Sequence, residues 1–412
     1  MYETLFKHPA VLARYRAGPY AEAREQFVES CAQQGYSRRM QVKIAWILMS
    51  VAPALDLSKG ALTTQDVQRA IEGRMHFLRQ PAGVVDAMSS RPVFTRFVVA
   101  WLQHTGMFAE ATVARRFVGE IDAFTMYLRD ERGLSPVTIA TRSERLAWFF
   151  DSVPSLNSLA GITIGDVDAF VSKMHDQGWS RASLCQLTSS LRSFLKFAAA
   201  RGWCSGNLAA AITSPRVYAR EGIPQGPAWQ DVQRLLDETL DHSPVGIRDH
   251  AILLLLALYG LRRGEVAMLH LDDLDWHNEI IWIRRTKQRR TQRYPLLPKV
   301  GNAILRYLRD VRPRCACREL FLALSAPNRA LSADSITAIV HNRINVLGIP
   351  SHARGAHCLR HACAQHLLGA DFTLKQIGDH LGHRSVNSTM AYTKVDIGAL
   401  RRVAELDLAR LL

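Results

Sequence analysis

Two stretches of the chain repeat one pattern, and this repeat limits the fold more than any other feature. The first runs QGYSRRMQVKIAWILMSVAPALDLSKGALTTQDVQRAI and the second RGLSPVTIATRSERLAWFFDSVPSLNSLAGITIGDVDAFV. Each opens on a glycine and a serine around one apolar residue (Gly35-Tyr36-Ser37, Gly133-Leu134-Ser135). Each places a tryptophan inside an amphipathic stretch (Trp46, Trp148) and restarts at Thr-x-x-Asp-Val (Thr63 to Val67, Thr163 to Val167). The serines and threonines stand where helix N-caps belong, just ahead of apolar residues at helical spacing. A duplicated helical unit follows. The second copy continues through WSRASLCQLTSSLRSFLKFAAARGWCSGNLAAAI, which predicts two more helices, the first closed by Gly202.

SPRVYAREGIPQGPAW comes next, rich in proline and glycine and without periodicity, and it reads as a linker. With 412 residues the chain has room for two or three domains. The expected division is a helical N-terminal domain over 1–108, read as a diverged copy of the next unit, then a helical domain over 109–215, a linker over 216–222 and a third domain over 223–412. Within the third, WQDVQRLLDETL and RDHAILLLLALYG read as helices. EIIWI (279–283) and RYPLLP (293–298) read as two short strands joined by the turn RRTKQRRTQ. The predicted class is mainly α with a small antiparallel sheet in the third domain, an α+β fold.

Six of the ten residues from 284 to 293 are basic: Arg284, Arg285, Lys287, Arg289, Arg290 and Arg293. Such a turn is either a solvated face or a surface lying along a DNA groove. The whole chain leans the same way. Its 52 Lys and Arg against 37 Asp and Glu give a net charge of +15, which favours a polyanion because bound phosphates release condensed counterions. Nucleic acid leads, although ribosomal proteins and membrane-surface binders are as basic. The N-terminal residues lack the apolar stretch and cleavage site of a signal peptide. The longest apolar run, Ala251 to Leu258, is far short of the ~18–20 residues that span a bilayer. Seven cysteines without a CxxC pair suit reduced thiols. A soluble cytoplasmic protein, associated with the nucleoid and not with membrane, is expected.

The segment HCLRHACAQHLLGADFTLKQIGDHLGHRSVNSTMAYT, from 357 to 393, concentrates the candidate chemistry. His357 and Arg360 are three apart and share a helix face. A helix after Thr373 ends at Leu381-Gly382, where a left-handed glycine would release His383 just past the helix end. Ser385 can cap a last short helix carrying Tyr392. Farther upstream, Arg262 follows a Gly-Leu turn in YGLRRGE. A phosphodiester transesterification needs a nucleophile, charge on the non-bridging oxygens and an acid for the departing oxygen. This set offers a phenol, two guanidinium groups and two imidazoles with few carboxylates, and the planar fork of arginine matches two phosphate oxygens. Each residue alone is commonly structural. A zinc site from His357, Cys358, His361, Cys363 and His366 is the competing reading, set back by the missing paired-cysteine or HExxH arrangement.

As an ordered set, Arg262 in GLRRGE, Lys287 in the basic hairpin, His357-x-x-Arg360, His383 in LGH and Tyr392 nine residues later resemble the tyrosine recombinase (phage integrase) family. The resemblance covers about 222–412 as the catalytic domain and about 111–215 as the core-binding, SAM-like domain, and leaves the first hundred or so residues outside the usual pattern. It implies site-specific DNA recombination. Tyr392 would attack the scissile phosphate and form a 3′-phosphotyrosyl link, Arg262 and Arg360 would bind the non-bridging oxygens, and His357 would act as acid and base. His383 would hydrogen-bond the phosphate, and Lys287 would protonate the leaving 5′ oxygen. It further implies no cofactor or metal, and a tetramer on two double-stranded DNA sites, or a hetero-assembly with a related recombinase, exchanging strands through a Holliday junction. Glu265 falls on the family's acidic position as a structural partner. His361 could support the site from behind, and an amphipathic tail helix could dock on a neighbouring subunit. Two departures stand out: the turn lacks glycines beside Lys287, and Asn207-Leu208 replaces the usual Asn-Pro. A type IB topoisomerase-like relaxing enzyme and a non-catalytic DNA-binding accessory protein are the alternatives.

Overall fold

The computed structural model describes residues 1–78, 91–110, 116–216, 226–239, 242–285, 290–351, 355–383 and 389. The expectations that fall on Lys287, Arg289, Ser385, Tyr392, the tail helix and most of the linker lie outside these residues. Contacts gather the chain into two units. One holds Met1–Leu62, Asp66–Phe108 and Gly222–Leu412; the other holds Ala109–Glu221 together with Thr63–Gln65.

The N-terminal part of the first unit is helical: α1 (Tyr2–Leu5), α2 (Pro9–Ala17), α3 (Ala21–Gln33), α4 (Arg38–Val51), α5 (Thr64–Leu78) and α6 (Arg91–His104). The second unit contains α7 (Val118–Asp130), α8 (Pro136–Ser152), α9 (Ile164–Asp176), α10 (Arg181–Ala200) and α11 (Leu208–Ala211). The two stretches that suggested a duplication share local features in these elements. Ser37 and Ser135 cap α4 and α8 by accepting from the backbone N–H three residues on. Thr163 and Asp166 form a reciprocal capping box at the start of α9. Ile44-Ala45 and Ile47-Leu48 are buried on α4, and Leu146-Ala147 and Phe149-Phe150 on α8, at the same distances from the tryptophan each helix carries. The fourth helix of each set ends alike as well. Gly106 and Gly202 take φ of 71° and 72°, and the residue after each donates to a carbonyl five back, Met107 to Leu102 at 2.8 Å and Trp203 to Ala198 at 2.9 Å.

The remainder of the first unit comprises α12 (Trp229–Glu238), α13 (Pro244–Leu258), α14 (Arg263–Ala267), β1 (Leu274–Asp275), β2 (Ile280–Arg285), β3 (Arg290–Pro295), α15 (Pro298–Asp310), α16 (Ala333–Val346), α17 (His357–Gly369) and α18 (Leu374–Leu381). α13 is its axis. Ser243 caps the helix, Pro244 occupies its first turn, and every residue from 246 to 257 is buried. A helix that is buried all round needs neighbours on every side, and α12, α14, α15, α16 and α17 all contact α13. Each leucine buried there contributes about 1.5–3 kcal/mol relative to exposure. Among the described residues no helix is long and apolar enough to cross a membrane.

The sheet is antiparallel in the order β1-β2-β3, with Leu274 opposite Ile281 and Ile283 opposite Gln292. The sequence had suggested two strands, 279–283 and 293–298. The third, β1, is only two residues long and carries no alternation of its own. The hairpin strands also reach two or three residues into the basic stretch assigned to the turn. Period-two alternation explains the extension: Ile281, Ile283 and Arg285 point to the buried face, while Trp282 and Arg284 point outward.

Candidate active site

The site is built around the C-terminal end of α18. Thr373 and Gln376 form a capping box at its start, and Gly382 closes it in the left-handed conformation, φ 61° and ψ 58°. The last carbonyls of a helix have no partner within it, and here side chains from four other elements supply one. Gln292 Nε2 donates to the carbonyl of Asp379 at 2.8 Å. The Tyr294 hydroxyl donates to His380, whose carbonyl also lies 3.4 Å from Arg285 Nη2. Arg360 Nη2 donates to Leu381 at 2.7 Å, and Arg262 Nη2 to Gly382 at 3.2 Å. Three guanidinium groups thus gather at the negative end of one helix dipole, which favours cations there.

Each arginine is held from a second side. Arg262 sits at the start of α14, where Glu265 Oε2 accepts from its backbone N–H at 2.8 Å and Glu265 Oε1 from its Nη1 at 2.7 Å. Its side chain is 28% exposed. Arg360 is 1% exposed and also donates through Nη1 to the carbonyl of Gly260 at 2.5 Å. Arg285, equally buried, donates to Glu265 Oε2 at 2.7 Å, to Gln292 Oε1 at 3.2 Å and to the Tyr294 hydroxyl. Burial alone would raise the pKa of Glu265, but the Arg285 charge and the hydrogen bonds from Arg262 and Arg285 outweigh it and hold the carboxyl below its ordinary range. Glu265 thus pairs with Arg262 and Arg285 at once.

His383 leaves the helix end with its N–H on the carbonyl of Gly378 at 2.8 Å and its Nδ1 2.7 Å from the Thr389 hydroxyl. Burial, and then the charges of Arg360, Arg262, Arg285 and His357, push its pKa down to about 4. His357 is exposed at the first turn of α17, edge-on to His361 with ring centroids 4.4 Å apart. His361 is likewise lowered to about 4, by burial and then by His357 and Arg360. Both His361 and His383 are neutral near pH 7.

The structure brings Arg262, Arg360 and His383 to one helix end, with His357 close enough to lower the pKa of His383. Lys287, Tyr392 and Arg289 are outside the described residues. Arg284, Arg290 and Arg293 are exposed on the hairpin, Arg284 with its guanidinium on Asp273 at 2.6 Å. Arg285 is a correction. It was expected among the DNA-facing cations of the turn, and it is instead walled into the protein against Glu265. The missed signal is the alternation itself, since Arg285 falls on the same strand face as Ile281 and Ile283. Gln292, Tyr294 and Thr389 were also missed, because each matters only through a partner distant in the chain.

Among the described residues no group of three or more His, Cys, Asp or Glu side chains is placed to hold a metal ion. Within α17, burial pushes the Cys358 and Cys363 thiols up to about 11 and about 12, which disfavours the thiolates a metal requires.

Comparison with known proteins places this arrangement. Residues 229–398 match the Phage integrase family, and residues 121–202 match the Phage integrase N-terminal SAM-like domain. The Sinorhizobium fredii protein y4rF, an integrase/recombinase by name, is 31% identical over 98% of this chain and 95% of its own length. This chain belongs to the phage integrase, or tyrosine recombinase, family. It is a site-specific recombinase of the tyrosine type. Tyrosine recombinase XerC of Oceanobacillus iheyensis is 29% identical over 68% of this chain and 93% of its own. Two solved structures share the fold: XerH bound to its difH substrate (TM-score 0.55, 20% identity, 69% of this chain and 83% of that one), and a lambda integrase dimer on a COC' core site (TM-score 0.53, 17% identity, 66% and 94%). y4rF spans the N-terminal helices as well, so the segment outside the usual two-domain pattern has a counterpart in a relative of similar length.

Proposed function

We propose that this recombinase cuts and rejoins duplex DNA at a specific site without metal or ATP, using Tyr392 as nucleophile. The observation that carries the reading is the convergence of Arg262, Arg360 and His383 on the end of α18, beside a carboxylate, Glu265, that is already paired with Arg262 and Arg285. Such a site attracts a phosphate and repels a divalent cation.

In the reaction the Tyr392 oxygen bonds to phosphorus as the bond to the 5′ oxygen breaks. His357 takes the phenolic proton, and Lys287 gives a proton to the departing 5′ oxygen. Arg262 and Arg360 offset the charge on the non-bridging oxygens, and neutral His383 donates a hydrogen bond to one of them. The 3′-phosphotyrosyl link conserves the phosphodiester energy, so a second 5′-hydroxyl attacks it and regenerates the tyrosine. Two rounds within a tetramer on two sites pass through a Holliday junction. Arg284, Arg289, Arg290 and Arg293 follow the DNA backbone, and residues 1–108, 109–215 and 223–412 act as three domains, the first a further copy of the core-binding unit. The relative y4rF, an integrase/recombinase by name and matched along nearly its whole length, supports integration, excision or transposition of a mobile element as the setting.

The test is covalent trapping. The protein is incubated in EDTA with nicked suicide duplexes tiled from the DNA flanking its gene. An SDS-resistant adduct on discrete fragments, absent from Tyr392→Phe, is expected. An adduct that persists in Tyr392→Phe, or none on a duplex shown to be specifically bound, would overturn the reading.

A further inference from the structure

We propose that Arg285 is a positioning residue for the recombination site, a role that rests on the function proposed above. It is one of the largest side chains that the fold buries completely, and burying a guanidinium is favourable only when its donors are satisfied and its charge is paired. Arg285 meets both conditions by joining three parts of the site. Nη1 holds Glu265 Oε2 at 2.7 Å, and the other oxygen of that carboxylate holds Arg262. Nη2 reaches Tyr294 and the carbonyl of His380, and Nε reaches Gln292, which itself holds the carbonyl of Asp379.

The close approach at Gly382 shows how tightly the guanidinium fills this junction. A Cβ on Gly382 would stand 2.7 Å from Arg285 Nε and 2.8 Å from Cζ. The turn that presents His383 is therefore packed directly on the Arg285 guanidinium. One side chain fixes Arg262, through Glu265, and His383, through the end of α18, relative to each other. Arg285 touches neither substrate nor reacting atoms. It sets the spacing of the groups that do.

A phosphate-binding arginine on an exposed hairpin acts differently. Its loss weakens DNA binding across sequences and lowers the salt slope. Loss of a buried strut leaves binding intact and slows chemistry. The experiment compares wild type, Arg285→Met and Arg285→Lys in three measurements: DNA affinity with its salt dependence, single-turnover cleavage at saturating DNA, and amide hydrogen exchange at Gly382 and His383. Arg285→Met is expected to keep its DNA affinity and salt slope within about twofold. Its cleavage should fall on the order of 100-fold, the effect of misplacing a reacting group by ~1 Å. Exchange at Gly382 and His383 should accelerate while α13 stays protected. Arg285→Lys keeps the charge and most of the volume, which guards against a variant that fails to fold. It should still be impaired, because an ammonium cannot reach Glu265, Tyr294 and Gln292 together.

Normal cleavage by either variant, or a loss confined to affinity and salt slope, would overturn the proposal. The exchange measurement needs no DNA and reports on the strut directly: unchanged exchange at Gly382 and His383 in Arg285→Met would overturn it as well. Failure of the recombinase reading would show separately, as wild-type protein that forms no adduct on specifically bound DNA.

Discussion

At the scale of single residues, the site depends on arginine for its shape as well as its charge. Arg262 divides its fork between Glu265 and the carbonyl of Gly382. An ammonium in its place keeps the charge but cannot span both partners while facing a phosphate. Arg262→Lys is therefore expected to bind DNA normally and to lose roughly 100-fold or more in single-turnover cleavage, comparable to removing one preorganised donor. Cleavage near the wild-type rate would remove Arg262 from the site. His383 supplies a pH signature. Its folded pKa is about 4 against an ordinary 6.5, so between those values the unfolded chain binds a proton that the folded chain refuses. The stability it contributes is complete above about pH 6.5 and is lost as pH falls toward 4. Urea unfolding of wild type and His383→Gln at pH 7.5 and pH 5 should show the wild type losing more stability on acidification; equal losses would contradict the burial of His383 among arginines.

At the scale of elements, α18 and the β2–β3 hairpin form one device. The helix exposes its last carbonyls, and the hairpin brings Arg285, Gln292 and Tyr294 to meet them. Gly382 is required twice, by its left-handed backbone and by the guanidinium against it. Gly382→Ala should lose about 1–2 kcal/mol from the backbone alone. It should also slow cleavage, because Arg285 is held on several sides and cannot retreat. A Tm and a cleavage rate both at wild-type values would show that the turn has more freedom than these contacts allow. Much of this element was legible in the sequence: the Thr373 cap, the helix length and the glycine follow from local rules. Its partners were not, since a strand face is decided by what packs on it, and Arg285 reads as one more cation in a basic turn until the strand is known to continue through it.

At the scale of the whole molecule, the proposed duplication of the helical unit carries the largest consequence. α4 and α8 share a serine cap and α6 and α10 share a helix-closing glycine turn, and residues 121–202 of the second set match the family's SAM-like domain. If the first set is a working copy, it enlarges the surface that engages DNA. Deleting residues 1–108 is expected to shorten the DNase footprint and lower affinity while sparing cleavage of a short suicide duplex, which needs only the catalytic groups. An unchanged footprint and unchanged assembly would show that the N-terminal helices do neither job. The shared Ser37 and Ser135 caps were readable because capping and helix periodicity are local; the two-unit division by contacts was not, because it depends on which surfaces meet.

The sequence by itself determined the helical class, the caps at Ser37, Ser135, Thr163 and Thr373, the buried α13 and the order of Arg262, His357, Arg360 and His383 along the chain. These follow from interactions within a turn or two of helix, or from a fixed order of residue types. Tertiary structure alone decided that Arg285 is buried against Glu265 and not exposed on the turn, that Glu265 is held ionised, and that His383 stays neutral to about pH 4. The bonds responsible join residues 20, 100 and 120 positions apart. Whether a buried charge is tolerated depends on the donors and acceptors that such distant segments bring to it.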